Sequence, residues 1–295
     1  MRSEKRVFAL GFFDGVHLGH QALLQACRAM AGQIGCTTAA ITFERHPRSL
    51  FSDQAPALIS TVFDRHRLLE RYGMDHIRCF PVTEEVMSTH WHTFLDNLVD
   101  AGAVGFVCGD DFHFGYRGAG NADLLQRYCE ERNLPCKIVS EQTVDQTRVS
   151  SSLIRRLIES GDMATATKFL GHPHILTGHV IHGQKLGRRL GVPTANLVIP
   201  HGIIVPRLGV YACRVIIAGR SYPAVANVGT RPTVNGSGIT VEPWILDFEG
   251  DLYDQQVQIE FYRFLRPETK FDDLSALQHQ IRLDANETRK FFQTH

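Results

Sequence analysis

The sequence carries no net charge: 31 Lys and Arg balance 31 Asp and Glu over 295 residues. An even balance gives no whole-chain attraction to nucleic acid or to an anionic membrane surface, although local basic clusters can still hold phosphates. Long hydrophobic runs are missing too. The apolar stretch after the polar Met1–Arg6 is broken at once by Gly11, Asp14 and Gly15, so neither a signal peptide nor a spanning helix fits. The seven cysteines (27, 36, 79, 108, 129, 136 and 213) contain no C-x-x-C pair, which argues against a zinc site. An odd, dispersed set reads instead as reduced thiols of a cytoplasmic protein. There is no internal repeat and no low-complexity segment. What remains is an ordinary globular composition, 43% hydrophobic, in a chain long enough for about two domains.

Along the first half, short apolar runs alternate with helical patterns. Arg6–Leu10, Thr38–Phe43, His76–Val82, Val104–Cys108 and Cys136–Ser140 read as strands. Gln21–Ala31, Val62–Tyr72, Thr93–Ala101 and Ala122–Arg132 read as the helices between them. That alternation predicts βαβ units: a parallel sheet with helices on both faces and ligands at the carboxyl ends of its strands. Ser150–Ser160 and Asp162–Leu170 read as two more short helices, and Gly171-His172-Pro173 then breaks the pattern. A boundary there divides a domain of residues 1–172 from one of residues 173–295. Beyond it, β-branched and aromatic runs are separated by Gly, Pro and Asn turns. Ile175–His182, Gly209–Ile217, Tyr222–Val228, Ile239–Phe248 and Gln255–Phe264 predict a compact antiparallel barrel or sandwich, closed by a helix over Leu274–Phe291.

Four clusters in the first half fall just after predicted strands or at a predicted helix start. Gly11-Phe12-Phe13-Asp14-Gly15-Val16-His17-Leu18-Gly19-His20 leaves a strand and opens a helix. A helix start presents unpaired N–H groups and partial positive charge, glycine lets the backbone approach a ligand, and two imidazoles three residues apart can donate to a phosphate as its charge builds. Thr42–Pro47 and Gly109–Gly115 follow later strands, the second with adjacent carboxylates able to hold Mg²⁺ or simply to be solvated. Arg148–Arg155 places three serines at a helix start between arginines, a set that caps a helix and can also hold phosphate.

In the second half, Gly183, Gly187 and Gly191 alternate with Lys185, Arg188 and Arg189 to make a basic glycine loop suited to a triphosphate. It is not a Walker A loop, because no Lys-Ser/Thr pair follows the second glycine. Thr194 and Asn196 then offer two oxygen donors close together, the hard ligand type that Mg²⁺ prefers.

Taken in order and spacing, the first set resembles the adenylyltransferase half of the bacterial riboflavin kinase/FAD synthetase family, an H-x-G-H nucleotidyltransferase with a Rossmann-like parallel sheet. Pro193-Thr194-Ala195-Asn196 resembles the signature of the riboflavin kinase barrel. Gly209-Val210-Tyr211, Asn227-Val228-Gly229, Arg231-Pro232-Thr233, Val241-Glu242 and Leu265-Arg266-Pro267-Glu268 follow at the family's spacing. The resemblance implies a bifunctional enzyme that phosphorylates riboflavin to FMN at the C-terminal site and adenylylates FMN to FAD at the N-terminal one, using ATP and Mg²⁺ in both. It implies catalytic roles for Glu242, as base, and for His17 and His20. It implies nucleotide contacts at Gly11, Phe13, Asp14, Arg148, Ser151, Ser152 and Arg155, and at Gly183, Gly187 and Arg188. It implies flavin contacts at His46, Asp111 and Arg266, and metal contacts at Thr194 and Asn196. Arg45, His113, Ser152, Val192 and Pro243 depart from the family's common residues. The alternatives are a riboflavin kinase whose first half only binds nucleotide, a flavin carrier without turnover, and a cytidylyl- or pantetheine-type transferase.

Overall fold

The structure is a computed structural model, described here for residues 4–52, 54–181, 194–233, 236–271 and 273–294. The glycine loop with Gly183, Gly187 and Arg188 lies outside the described residues. The chain forms two compact units. One runs to Leu58 and from Val62 to Ser151; the other comprises Ile59–Thr61 and everything from Ser152 onward.

In the first unit five parallel strands, β1 (Arg6–Leu10), β2 (Thr37–Phe43), β3 (His76–Phe80), β4 (Ala103–Gly109) and β5 (Cys136–Val139), lie in the order β3-β2-β1-β4-β5. Val7–Leu10 of β1 are buried without alternation, as expected for a central parallel strand covered on both sides. The direction of winding reverses between β1 and β4, which opens a crevice at their carboxyl ends, where Gly11 and Asp110 begin the next segments. Helix α1 (Leu18–Ile34) buries Leu23, Leu24, Cys27, Met30 and Ala31, one stripe at helical spacing. It ends at Gly35, whose φ of 75° lets its N–H reach the Ala31 carbonyl. Helices α2 (Val62–Arg71), α3 (Glu84–Met87), α4 (Trp91–Asp100) and α5 (Ala122–Glu131) complete the connections. Phe8, Leu10, Leu95, Phe106 and Leu125 share one core cluster, each worth about 1.5–3 kcal/mol of burial. Burial also pushes the Cys27 and Cys108 thiols up to about 12, so they are inert core groups. A two-stranded hairpin of β6 (Thr143–Val144) and β7 (Thr147–Arg148) turns through Asp145 and Gln146, both at positive φ.

The second unit holds α6 (Ser151–Ser160) from Ser152 on, and α7 (Met163–Leu170). Its sheet contains β8 (His174–His179), β9 (Leu197–Val198), β10 (Gly209–Ile217), β11 (Arg220–Thr233), β12 (Gly236–Ile245) and β13 (Gln256–Arg266). All are antiparallel, in the order β8-β13-β10-β11-β12-β9. The chain leaving edge strand β8 bonds on one side to the residue before its neighbour β13 (Val180 N–H to the Gln255 carbonyl, 3.0 Å) and on the other to the residue before edge strand β9 (Ile181 N–H to the Asn196 carbonyl, 2.8 Å), which nearly closes a barrel. Helix α8 (Leu274–Thr294) covers β10 and β11, with Ala285 in a cluster with Val210, Val225 and Leu246. No helix among the described residues is long and apolar enough to cross a membrane.

His174 opens β8 with its ring 5.6 Å from that of Phe261 and almost no exposure. Burial, helped by nearby His172, lowers its pKa to about 3. In the unfolded chain it titrates near ~6.5, so between those values the unfolded state holds a proton that the folded state does not. Stability of the second unit should therefore fall as pH drops from about 6.5 toward about 3. His174→Gln should flatten that slope in urea melts followed through Trp244, read in a Trp91→Phe background; an unchanged slope would show that His174 is not its source.

Candidate active sites

The segment between β1 and α1 is a strained, buried turn. Phe13 and Val16 sit at φ 58° and 41°, Gly15 at 75°, and Phe13, Asp14, Gly15 and Val16 are all buried. Non-glycine residues in this region carry strain, which persists only where neighbours enforce it. The Phe13 ring folds back on Gly11, where an added Cβ would meet it at 3.0 Å. The turn delivers His17 to the N-cap of α1. There its Nδ1 accepts the His20 backbone N–H (3.3 Å), so a neutral His17 carries its proton on Nε2 and offers a donor. The His17 and His20 rings stack at 3.7 Å and 10°, with the Phe13 ring edge-on to His20. Burial, then the charges of His17 and Arg65, hold the His20 pKa well below its ordinary value, so the imidazole is neutral at neutral pH. Ser151 Oγ donates to the Asp14 carbonyl (3.3 Å), which brings the serine cluster to the same turn.

Arg148 closes the β6–β7 hairpin and pairs with Asp111 (2.6 Å) and Glu141 (2.7 Å). Ser152 is exposed and Arg155 partly buried on α6. Beyond the end of β4, a cavity of about 800 Å³ is walled by aromatic rings, including Phe43, Phe80, Phe94 and Phe112. His46 lines it, its Nδ1 capping a short 3₁₀ turn through the Arg48 N–H. Asp111 stands next to this wall, on Arg148.

In the second unit a cavity of about 340 Å³ is lined by Thr194, Glu242 and Arg266. Glu242 lies on β12 directly across from Asn227 on β11, and Thr240 Oγ donates to its carboxylate at 3.4 Å. Thr194 forms an isolated bridge to Trp244, two residues along β12 from Glu242, and lines the same cavity as Glu242. Asn196, two residues on, is buried. The Arg266 guanidinium lines the cavity while its Nε and Nη2 grip the Asp284 carboxylate of α8 at 2.8–3.2 Å.

Two participants, Arg65 and Asp284, were not read from the sequence, and Glu268 stood there only as one residue of the Leu265–Glu268 motif, with no role given to it. Arg65 is a fully buried guanidinium on α2, beneath the first turn. Glu268 lines the second cavity and accepts from Asn227 Nδ2 (3.1 Å), passing so close over Gly229 that a Cβ there would collide with its carboxylate. Asp284 anchors Arg266 from a helix whose sequence shows only amphipathic spacing. A charged side chain on a helix is usually solvated, so Arg65 and Asp284 carry no sequence signal of burial.

Removing one partner of a buried pair leaves an uncompensated charge, a loss of ~3–5 kcal/mol when both are fully buried. Arg266 keeps partial solvent access, so Asp284→Asn should cost about 2–3 kcal/mol. Urea unfolding of the Trp91→Phe protein measures it; a change below about 0.5 kcal/mol would mean that the pair does not anchor α8.

Comparison with known proteins places both sites in one family. The family model described as FAD synthetase matches residues 1–153, and that described as Riboflavin kinase matches residues 170–292. A bifunctional riboflavin kinase/FMN adenylyltransferase of Pseudomonas fluorescens is 38% identical, covering 98% of this chain and 94% of its own. One from Listeria monocytogenes is 35% identical, over 97% and 92%. A crystal structure titled as a macrolide-efflux protein from Streptococcus pneumoniae superposes with a TM-score of 0.86 at 31% identity, covering 98% of this chain and 95% of that one. The two whole-chain relatives and the two matched halves agree: the chain belongs to the bifunctional riboflavin kinase/FMN adenylyltransferase family.

Proposed function

We propose that the second unit phosphorylates riboflavin to FMN and the first adenylylates FMN to FAD, each reaction consuming ATP. The observation that carries this reading is that each unit builds its own site. An imidazole that caps a helix stacks on a second in its first turn at the switch point of a parallel sheet in one, and a carboxylate and a hydroxyl share a barrel cavity in the other. A kinase with an inert first half would have no need of a stacked imidazole pair held at the end of a strained, buried turn. Residues 1–172 and 173–295 are assigned to the two activities, although α7 and α6 from Ser152 on, which fall in the first range, belong to the barrel's compact unit.

At the kinase site, Glu242 accepts the proton of the riboflavin 5′-hydroxyl as that oxygen attacks the ATP γ-phosphorus; the bond to the β-bridging oxygen breaks and ADP leaves. The cavity's size suits a small ligand, with Arg266 held as a fixed wall. Thr194, which lines the same cavity as Glu242, and Asn196 are hard oxygen donors that fit Mg²⁺, which shares its shell with phosphates rather than needing an all-protein cage. When bound, Mg²⁺ would neutralise charge on the triphosphate. Gly183, Gly187 and Arg188 would wrap that triphosphate.

At the adenylyltransferase site, an FMN phosphate oxygen attacks the ATP α-phosphorus and pyrophosphate leaves. No covalent intermediate on the protein is required, so catalysis is positioning and charge stabilisation. His17 offers Nε2–H and His20 a neutral ring. Gly11, Phe13 and Asp14 shape the turn, and Ser151, Ser152, Arg155 and Arg148 would hold phosphates. The Arg148 pairs with Asp111 and Glu141 are half-exposed, worth about 1 kcal/mol or less, so phosphate can displace them. The aromatic cavity at His46 takes the flavin ring, with Asp111 at its edge. Seven free thiols suit a reducing cytoplasm, and no nucleic-acid or membrane partner is invoked.

Two variants separate the sites, with products read by chromatography from riboflavin, ATP and Mg²⁺. Glu242→Gln cannot accept the hydroxyl proton; FMN formation should be lost while FAD still forms from added FMN. Kinase activity near wild type would remove Glu242 from the base role. His20→Ala should lower FAD turnover by ~10²-fold or more while riboflavin is still consumed and FMN accumulates. Normal FAD output would refute the role given to His20.

A further inference from the structure

Arg65 has no exposed surface, yet it is a cation. Its Nη1 donates to the Phe12 carbonyl (3.2 Å), the Phe43 carbonyl (2.9 Å) and the Thr42 hydroxyl (3.0 Å), and its plane lies 4.8 Å over the Phe12 ring. These bonds join the segments leaving β1 and β2. Its Nε and Nη2 are buried with no hydrogen-bond partner, and so is His20 Nδ1. A buried guanidinium with unpaired donors is a poor stabiliser, since apolar side chains of similar volume usually do as well or better. The charge is retained where it faces the strained turn. The Phe12 carbonyl that it holds belongs to the peptide entering Phe13, the residue forced to φ 58°.

We infer that Arg65 is a positioning residue for adenylyl transfer, an internal cation that fixes the Phe12–Val16 turn from beneath and so sets how His17 and His20 meet the phosphates. The inference rests on the adenylyltransferase reading of that turn. The groups that bear on His20 are His17 from its own helix, the Phe13 ring from the turn, and Arg65 from α2, with Asp14 acting in turn on Arg65. Arg65 opposes protonation of His20, so it also keeps the ring neutral. Removing the charge moves the His20 titration upward.

The test uses the full-length enzyme with Arg65→Met and Arg65→Lys. The His20 ring titration is followed by NMR, and FAD formation from FMN is measured alongside riboflavin phosphorylation. Arg65→Met should raise the His20 midpoint and lower FAD turnover at least about tenfold, as expected for misplaced reacting groups, with kinase activity unchanged. Arg65→Lys keeps the charge but loses the fork, so the His20 midpoint should stay low while FAD turnover still falls. A loss of FAD formation in Arg65→Met with no movement at His20 would mean a merely structural role and overturns the inference. If Arg65→Met does not fold, Arg65→Lys decides alone: wild-type FAD turnover in it overturns the inference. His20→Ala distinguishes the two failures. If it spares FAD formation, the site reading is wrong; if it abolishes FAD formation while both Arg65 variants are normal, only the role of Arg65 is wrong.

Discussion

The chain leaves β1 at Leu10 and must enter α1 at Leu18, and the first unit's chemistry depends on the backbone it adopts between them. Extended or helical geometry alone would carry the segment away from the switch point. Instead Phe13, Gly15 and Val16 take positive φ and the turn folds back on itself. His17 then caps the helix with its own ring and stacks on His20. Strain of this kind needs support from outside, supplied by the Phe13 ring against Gly11, by Ser151 on the Asp14 carbonyl, and by Arg65 on the Phe12 carbonyl.

The barrel solves a different problem with different means. Its cavity groups are placed by cross-strand register rather than by a turn: Asn227 faces Glu242, Thr194 bridges to Trp244, and the pleat aims Asn227 and Glu242 to one side. Arg266 is fixed by a helix carboxylate and Asn227 by Glu268. Transfer of a phosphoryl or nucleotidyl group with no covalent intermediate on the protein, as proposed for both sites, relies on rigid placement of donors and acceptors.

Much of this was legible in the sequence. Arg6–Leu10 and Gly209–Ile217 are strands over the expected residues, because continuous or alternating β-branched runs between glycines permit little else. Helix α1 begins three residues before the expected Gln21, since the cap is a histidine, a residue outside the usual capping set. β11 runs well past Val228 to Thr233, through Pro232, where turn signals suggested an earlier end. The tiny hairpin of β6 and β7 and the two-residue β9 carry no periodicity to detect. The motif histidines open the expected helix and Ser151 and Glu242 stand in the expected helix and strand, with His17 stacked on His20; Thr194, for which no element was expected, lines one cavity with Glu242. Arg65 and Asp284 were invisible, and Glu268 was no more than one residue of a motif, because each acts through tertiary neighbours and nothing in the local pattern separates a buried charge from a solvated one.

On this account one chain directs flavin oxygens onto two different phosphorus atoms of ATP, γ at one site and α at the other. Supplying riboflavin with ATP labelled either at the γ- or at the α-phosphorus, and locating the label in purified FAD, tests it directly. The account predicts that γ-label appears first in FMN and is retained on the flavin side of FAD, while α-label appears only in FAD, on the adenosine side. FMN that acquires the γ-label but never goes on to α-labelled FAD would contradict it.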